Sequence, residues 1–227
     1  GFSGISGSID GNQQGGALRL ASRDAALELP QGFAESQGEL AVLNAQTQWK
    51  ASGGKTAVTI EQIAFENRDA AGTVSGHYIG GVEGPGEVDL SAHLTRGNGN
   101  AVWRYIPLTV GKNVRDWLQE SILDGMSNDT RLRLQGDLHN FPFTDGSGIF
   151  EVKGHFHGAT LRYVSSWPQI NNIVGELEFV GKRMLIKASS GSIYGATLSE
   201  VSAEIADLDA ADNILLVAGK AAGPTAD

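Results

Sequence analysis

The sequence predicts a mainly β protein, a long antiparallel meander with one short amphipathic helix, over 227 residues. Apolar and polar residues alternate along most of the chain, as in Val88, Leu90, Ala92 and Leu94. This period of two is typical of strands with one buried face. The 31 glycines follow no fixed period and indicate turns and bulges between strands. Only residues 102–125 depart from the alternation.

The alternating segments follow one another as strands of a single meander. Four of them open with Gly-x-apolar-x-apolar, at irregular spacings that indicate similar hairpins rather than a solenoid. Changes of parity between Val42 and Leu43, and between Ile60 and Ile63, predict bulges or turns. The predicted strands cover residues 18–20, 27–29, 38–50, 58–65, 74–78, 88–95, 132–138, 150–163, 177–179, 184–188, 201–205 and 214–218.

Residues 113–124 are predicted to form the one helix. Asn113 is a suitable N-cap, and Asp116, three residues later, can complete a capping box. Gly125 stands where a left-handed residue commonly ends a helix. One predicted face of this helix is apolar and contains Val114, Trp117, Leu118 and Ile122.

Composition excludes several classes of protein. The formal net charge of −9 and the lack of a basic patch argue against nucleic acid as a partner. The absence of cysteine excludes disulfides and thiolate metal sites, and no apolar run is long enough to span a bilayer. The chain opens on Gly1 and contains no linker, so we interpret residues 1–227 as a single elongated β-domain, excised from a longer protein.

The sequence contains no convincing catalytic or metal-binding motif. His155 and His157 share a strand face, but no third ligand has a supporting spacing. No Gly-x-Ser-x-Gly elbow or phosphate-loop lysine is present, and no pair of carboxylates stands out. We therefore predict a protein that is not an enzyme and has no cofactor and no metal.

One-sided strands must hide their apolar face, and one short helix is too small to cover it. Three arrangements satisfy this requirement. The sheet can fold onto itself as a sandwich, close as a barrel, or curl into a trough filled by lipid chains. The alternation alone leaves these three open.

The chain from Trp103 to its C-terminus resembles a known family in a series of ordered motifs. Together they are similar to the large periplasmic YhdP-type proteins of Gram-negative bacteria, within the AsmA-like group. Residues 1–100, a β-meander, resemble such proteins only in style, whereas residues 101–227 form the family-like block. The motifs are Tyr105-Ile106-Pro107, Arg115-x-Trp117-Leu118, Leu134-x-Gly136-x-Leu138, Phe141-Pro142-Phe143, Gly148-x-Phe150, Trp167-Pro168-x-Ile170, Gly175-x-Leu177-x-Phe179, Gly191-x-Ile193-x-Gly195 and Ala203-x-Ile205-x-Asp207-Leu208.

The resemblance implies a bridge-like lipid-transfer protein, with a sheet curled into a hydrophobic groove of half-barrel or sandwich-like form. It implies passive conduction of phospholipid between the inner and outer membranes, by a periplasmic protein that is anchored in the inner membrane. The expected partners are phospholipid acyl chains, and both membranes through regions outside this sequence. The predicted helix would then pack its apolar residues on the groove. The candidate groove residues are Leu132, Leu134, Phe150, Val152, Phe156, Leu161, Tyr163, Leu177 and Phe179.

The same side chains suit a second interpretation. They can form the closed core of a structural or adhesive β-domain that binds no lipid. The shape of the sheet, open or closed, separates the two.

Overall fold

The structure, a computed structural model, describes residues 2–28, 37–81, 83–106, 108, 112–163, 166–210, 212 and 214–223. Within these ranges every strand belongs to one antiparallel sheet. The strands are β1 (Phe2–Ser3), β2 (Gly7–Asn12), β3 (Gly15–Glu28), β4 (Gln37–Ser52), β5 (Lys55–Glu66), β6 (Ala70–Gly80), β7 (Glu87–Asn98), β8 (Ile122–Asp137), β9 (Ile149–Leu161), β10 (Ile170–Val180), β11 (Arg183–Ile193), β12 (Ala196–Ile205) and β13 (Leu215–Ala222).

The strand order in the sheet follows the order in the chain. β1 and β2 both pair with β3, as two parts of one edge, so the sheet has twelve positions and β13 forms the other edge. In the described part of the chain the two edges do not pair with each other. The predicted antiparallel meander is thus confirmed, and the sheet is open rather than closed as a barrel.

The sheet lacks the packed interior of a sandwich. Its accessible surface is 14034 Å², whereas a compact monomer of this size exposes about 9,900 Å². Among the described residues, Ser22 is the largest side chain less than 2% exposed. Most large apolar side chains of the described residues are therefore covered only in part, and the few buried ones include Leu43, Phe143 and Met184.

The main interruption lies between β7 and β8, as predicted. It contains a 3₁₀ helix, Gly99–Tyr105, followed by the α-helix α1, Lys112–Ser121. A second short 3₁₀ helix, Leu138–Asn140, follows β8.

The predicted limits of the α-helix were wrong at both ends. The helix begins at Lys112, so Asn113 lies inside it rather than at its N-cap. It ends at Ser121, and Ile122 is the first residue of β8, where it pairs with Leu161 of β9. Gly125 lies inside β8 with φ +133°, and a Cβ there would come 2.9 Å from the Cβ of Ala159. Pairing between strands, not a helix cap, explains this glycine.

The bulges were predicted in part. β5 carries a register shift between Ile60 and Ile63 against both of its neighbours, as the change of parity indicated. β4 runs without interruption past Val42 and Leu43, so that prediction was wrong. The irregularity there lies in β3, where Asp24 has φ +54°.

Two strand ends also differ from the prediction. β9 ends at Leu161, two residues before Tyr163. The last strand begins at Leu215 rather than at residue 214. Leu29, predicted to end a strand, lies outside the described residues.

Candidate functional site

A line of directly opposed residues crosses the whole sheet. It takes one residue from each of the twelve strand positions, and all of them are glycine or apolar. Directly opposed residues in antiparallel strands share one face, so these side chains form an unbroken apolar strip. At about 4.8 Å between strands the strip is about 50 Å long. This central row consists of Gly7, Leu20, Ala45, Ile63, Val74, Ala92, Leu132, Val152, Phe179, Met184, Ile205 and Leu215.

Two further rows flank the central row on the same face, each about 7 Å away along the strands. They are mostly apolar, with glycine or a hydroxyl residue at a few positions. The bulge in β5 keeps Ile60 and Ile63 on this face although they are three residues apart. One row contains Ile9, Leu18, Thr47, Ile60, Gly76, Leu90, Leu134 and Phe150, and the other Ser22, Leu43, Phe65, Gly72, Leu94, Thr130, Gly154, Leu177, Ile186, Ala203 and Val217.

Seven of the nine candidate groove residues lie on this apolar face. Leu132, Val152 and Phe179 belong to the central row, and the flanking rows contain Leu134, Phe150 and Leu177. Phe156, two residues beyond Gly154 in β9, extends the face toward the helix and opposes Gly175. All nine candidates are half-buried, and their binding of lipid stays a prediction.

The other two candidates lie at the end of β9. Leu161 is the last residue of the strand and pairs with Ile122 and Ile170. Tyr163 is not in the strand, and its carbonyl oxygen accepts a hydrogen bond from the Trp117 indole at 3.1 Å. Because apolar residues continue to Tyr163, the sequence predicted a strand that ends two residues later than β9.

The first half of the central row was missing from the candidates. Leu20, Ile63 and Val74 follow the same alternation as the candidate groove residues. The family motifs, however, began only at Trp103. Alternation carried across the bulge in β5 would have found these residues.

A shallow hollow of about 640 Å³ lies where β9 to β12 carry small residues. Phe156, Gly175, Ala188 and Val201 form a further row across these strands and line the hollow. Residues of the opposite strand face, among them His155, Glu176 and Lys187, also line the hollow, so it is not a feature of the apolar face alone.

The opposite face of the sheet is charged. Cross-strand ion pairs join Lys153 to Glu178 at 3.4 Å and Arg183 to Glu204 at 2.7 Å. The hydrogen bond from Arg131, followed by that from His93, lowers the pKa of Asp129, and a hydrogen bond from Arg133 lowers the pKa of Asp89. This face is suited to water, so the two faces differ sharply in chemistry.

A short segment after β8 packs on the apolar face at one end of the strands. Phe143 is 5% exposed, and a Cβ on Gly136 or Gly148 would come within 2.8 or 2.6 Å of its ring. Phe141 stacks on Phe150 with ring centroids 4.9 Å apart. These contacts cover the margin of the apolar face at that end.

A buried carboxylate anchors the 3₁₀ helix at the other end of the strands. Asp69 accepts hydrogen bonds from Arg104 at 2.9 Å and from the Tyr105 hydroxyl at 3.1 Å. Burial opposes ionisation of Asp69, but these hydrogen bonds and the charges of Arg104 and Arg68 outweigh it and lower its pKa. Asn67 donates to the Tyr105 hydroxyl at 2.9 Å.

The α-helix packs against the 3₁₀ helix and β8. Trp117 makes an edge-on contact with Tyr163, with ring centroids 5.9 Å apart. Val114 is 38% exposed. Packing of Val114, Trp117 and Leu118 on a groove stays a prediction, whereas Ile122 does not belong to the helix.

Within the described ranges, no three His, Cys, Asp or Glu residues are grouped so that they could hold a metal ion. His155 contacts Glu176 at 3.2 Å and Asp129 at 3.9 Å, on the charged face. The histidine therefore lies among the carboxylates of that face.

The fold and the two faces define an open, amphipathic β-sheet protein with a continuous apolar strip. The sequence model described as "YhdP protein" matches residues 1–227, and the chain belongs to this family. The match confirms the family that the motifs indicated and extends it over residues 1–100.

A curated relative is the "Intermembrane phospholipid transporter YhdP" of Escherichia coli (strain K12). The two are 24% identical over 235 residues, which cover 98% of this chain and 18% of the relative. The chain thus spans less than a fifth of the relative's length. No solved structure gives a significant match. None of the helices in the described ranges has the length and apolarity needed to cross a membrane.

Proposed function

We propose that the apolar face is one segment of a periplasmic hydrophobic groove, which binds phospholipid and conducts it between the inner and outer membranes of a Gram-negative bacterium. The observation that carries this proposal is the central row, which crosses all twelve strand positions without a polar side chain. A relative named as an intermembrane phospholipid transporter supports it.

The chemistry of the apolar face suits acyl chains. Each CH₂ group removed from water contributes about 0.8 kcal/mol, and a chain lying on the strip meets no polar group that would lose its hydration. Because the strip is apolar along its whole length, it offers no single fixed binding position. A lipid that moves along the strip requires such a surface.

The open sheet also explains why an occupant is needed. The protein itself covers the side chains of the central row on β8 to β10, Leu132, Val152 and Phe179, only in part. A surface of this extent normally marks an interaction site. The rival interpretation, a closed core, predicts that most large apolar side chains are buried, whereas only a few of the described ones are, among them Leu43, Phe143 and Met184.

In this proposal the segment acts within a longer, inner-membrane-anchored protein. Its contacts with both membranes belong to other parts of that protein. The charged face, with pairs such as Arg183 and Glu204, keeps the outside of the groove hydrated.

Two neighbouring residues of β11 provide a matched test. Ile186 lies on the apolar face and Leu185 on the charged face, and both are half-buried. The purified chain is exposed to vesicles of phosphatidylethanolamine and phosphatidylglycerol, and bound lipid is counted by native mass spectrometry. Ile186→Asp should lose most of the lipid, whereas Leu185→Asp should retain it, with both variants shown to be folded by circular dichroism. Bare wild-type protein, or equal loss in both variants, would overturn the proposal.

A further inference from the structure

The two ends of the strands carry opposite charge. The connections β5–β6, β7–β8, β9–β10 and β11–β12 meet at one end, which we call the helix rim. The described connections at the other end, including β8–β9 and β12–β13, form the turn rim. The apolar face lies between the two rims.

The turn rim is acidic. Its described connections contain five acidic residues and a single lysine, Lys182, which pairs with Asp209 at 3.3 Å. Phe143 and Phe141 cover the adjoining apolar surface. The five acidic residues are Glu83, Asp145, Asp207, Asp209 and Asp212.

The helix rim is basic by comparison. Its described connections hold five basic residues against three acidic ones, Asp69, Asp116 and Glu120. Arg104 and Arg68 pair with Asp69, and Lys112 pairs with Asp116, so the excess of positive charge is two. Arg162 donates to a neutral acceptor, the Glu120 carbonyl oxygen, at 3.3 Å. The basic residues are Arg68, Arg104, Lys112, Arg115 and Arg162.

The aromatic residues show the same asymmetry. Three of the four tryptophans and three of the four tyrosines lie in the helix-rim connections. The described turn-rim connections themselves contain only phenylalanine among the aromatic residues, although Tyr78 of β6 donates a hydrogen bond to the Pro85 carbonyl oxygen there, at 3.1 Å. Trp and Tyr favour positions where an apolar region meets water, because each ring has one polar group. The six helix-rim residues are Trp103, Tyr105, Trp117, Tyr163, Trp167 and Tyr194.

From these two independent asymmetries we propose that bound phospholipid has a fixed orientation, with its headgroup phosphate at the helix rim and its acyl chains across the central row. The acidic residues of the turn rim repel a phosphate. Phe141 and Phe143 cover the adjoining edge of the apolar face with apolar rings. At the other end of the strands, the helix rim offers cations and amphipathic rings at the margin of the apolar face. This inference rests on the proposed groove and adds a direction across it.

Two photoreactive phospholipids test the orientation. One phosphatidylethanolamine carries a diazirine on its headgroup, and the other carries it at the end of an acyl chain. Each is loaded from vesicles onto the purified chain, irradiated, and located by peptide mass spectrometry. The headgroup probe should label the described residues 99–106, 112–121, 162–163 and 166–169, and the acyl probe should label the central row.

The two probes separate the two proposals. Headgroup labels on residues 138–148 and 206–214, or equal labels at both rims, would overturn the proposed orientation. Acyl labels on the central row would in that case still support the proposed groove. Absence of acyl labels from the central row would overturn the groove and the orientation with it.

A charge reversal gives a second readout. Arg162→Glu should lower the headgroup labelling of the helix rim about three- to fivefold, the scale of one surface charge interaction. Lys55→Glu, at an exposed residue beside the turn rim, changes the net charge equally and should leave it unchanged. Equal effects of both variants would contradict the inference.

Discussion

Leu132 of β8 lies directly opposite Val152 of β9, and Val152 in turn opposes Phe179 of β10. This chain of pairs continues through Met184 and Ile205 to the edge strand. The continuity of the apolar face therefore depends on register across many strands, and a local pocket plays no part in it. A one-residue slip in any strand would turn its apolar residues to the charged side.

The open face should bind an apolar dye in the native state. Delipidated protein should enhance ANS fluorescence well below the temperature of unfolding, because most of the large side chains of the central row, such as Leu132, Val152 and Phe179, are only half-buried. Addition of phospholipid vesicles should reverse the enhancement as acyl chains displace the dye. A native protein that gives no ANS signal would indicate a sealed core.

The contact of Phe143 with two glycines should make one of them intolerant of substitution. Gly148→Ala places a Cβ 2.6 Å from the Phe143 ring and 2.3 Å from the Gln135 carbonyl oxygen, so it should lower the free energy of unfolding by about 1–3 kcal/mol. Gly38→Ala is the control, since nothing lies within 4 Å of its Cβ position. Urea unfolding measures both variants, and equal stability would contradict the packing described.

Asp69→Asn should loosen the 3₁₀ helix. The substitution removes the charge that Arg104 and Tyr105 contact and should cost about 1–3 kcal/mol. Hydrogen exchange in residues 99–105 should accelerate, whereas Asp10→Asn, at an exposed residue, should leave it unchanged.

The same carboxylate gives a pH dependence. Because the pKa of Asp69 is lowered in the folded state, its stabilisation is complete above the ordinary value of 3.8 and is lost as pH falls through the folded pKa. The stability of the wild type should therefore fall more steeply than that of Asp69→Asn in this acidic range. Parallel profiles of unfolding free energy against pH would refute the role of Asp69.

Trp117→Phe should weaken the attachment of the α-helix. The variant keeps an aromatic ring but loses the hydrogen bond to the Tyr163 carbonyl oxygen, at a cost of about 0.5–1.5 kcal/mol. Trp167→Phe is the matched control, because Trp167 is 60% exposed. In thermal unfolding, Trp117→Phe should therefore have a lower midpoint temperature than Trp167→Phe.

Alternation of apolar residues was enough to predict most of the strands and their antiparallel order, although it missed β1 and β2 and divided β3 into two segments, 18–20 and 27–29. It failed at Ile122, because the spacing of apolar residues on a helix continued into a segment that pairs with Leu161. Local periodicity contains no information about such a partner, because Leu161 lies 39 residues further along the chain. Contacts with distant partners decide where the helix ends.

The candidate site was predictable only in part for the same reason. Phe150 and Leu177 were identified because they alternate within a recognisable family block. The alignment of Leu20 and Ile63 with them depends on the bulge in β5, which sets the register of half the sheet. The anchor at Asp69 depends on residues more than 30 positions apart and has no local pattern.

Photo-crosslinking from the central row tests the central claim most directly. A benzophenone amino acid replaces Phe179 on the apolar face, or Leu185 on the charged face, in protein exposed to phospholipid vesicles. Irradiation should give a phospholipid adduct at position 179 and none at 185, as read by mass spectrometry of the intact protein. Adducts at both positions, or none at 179, would contradict a lipid-binding apolar face.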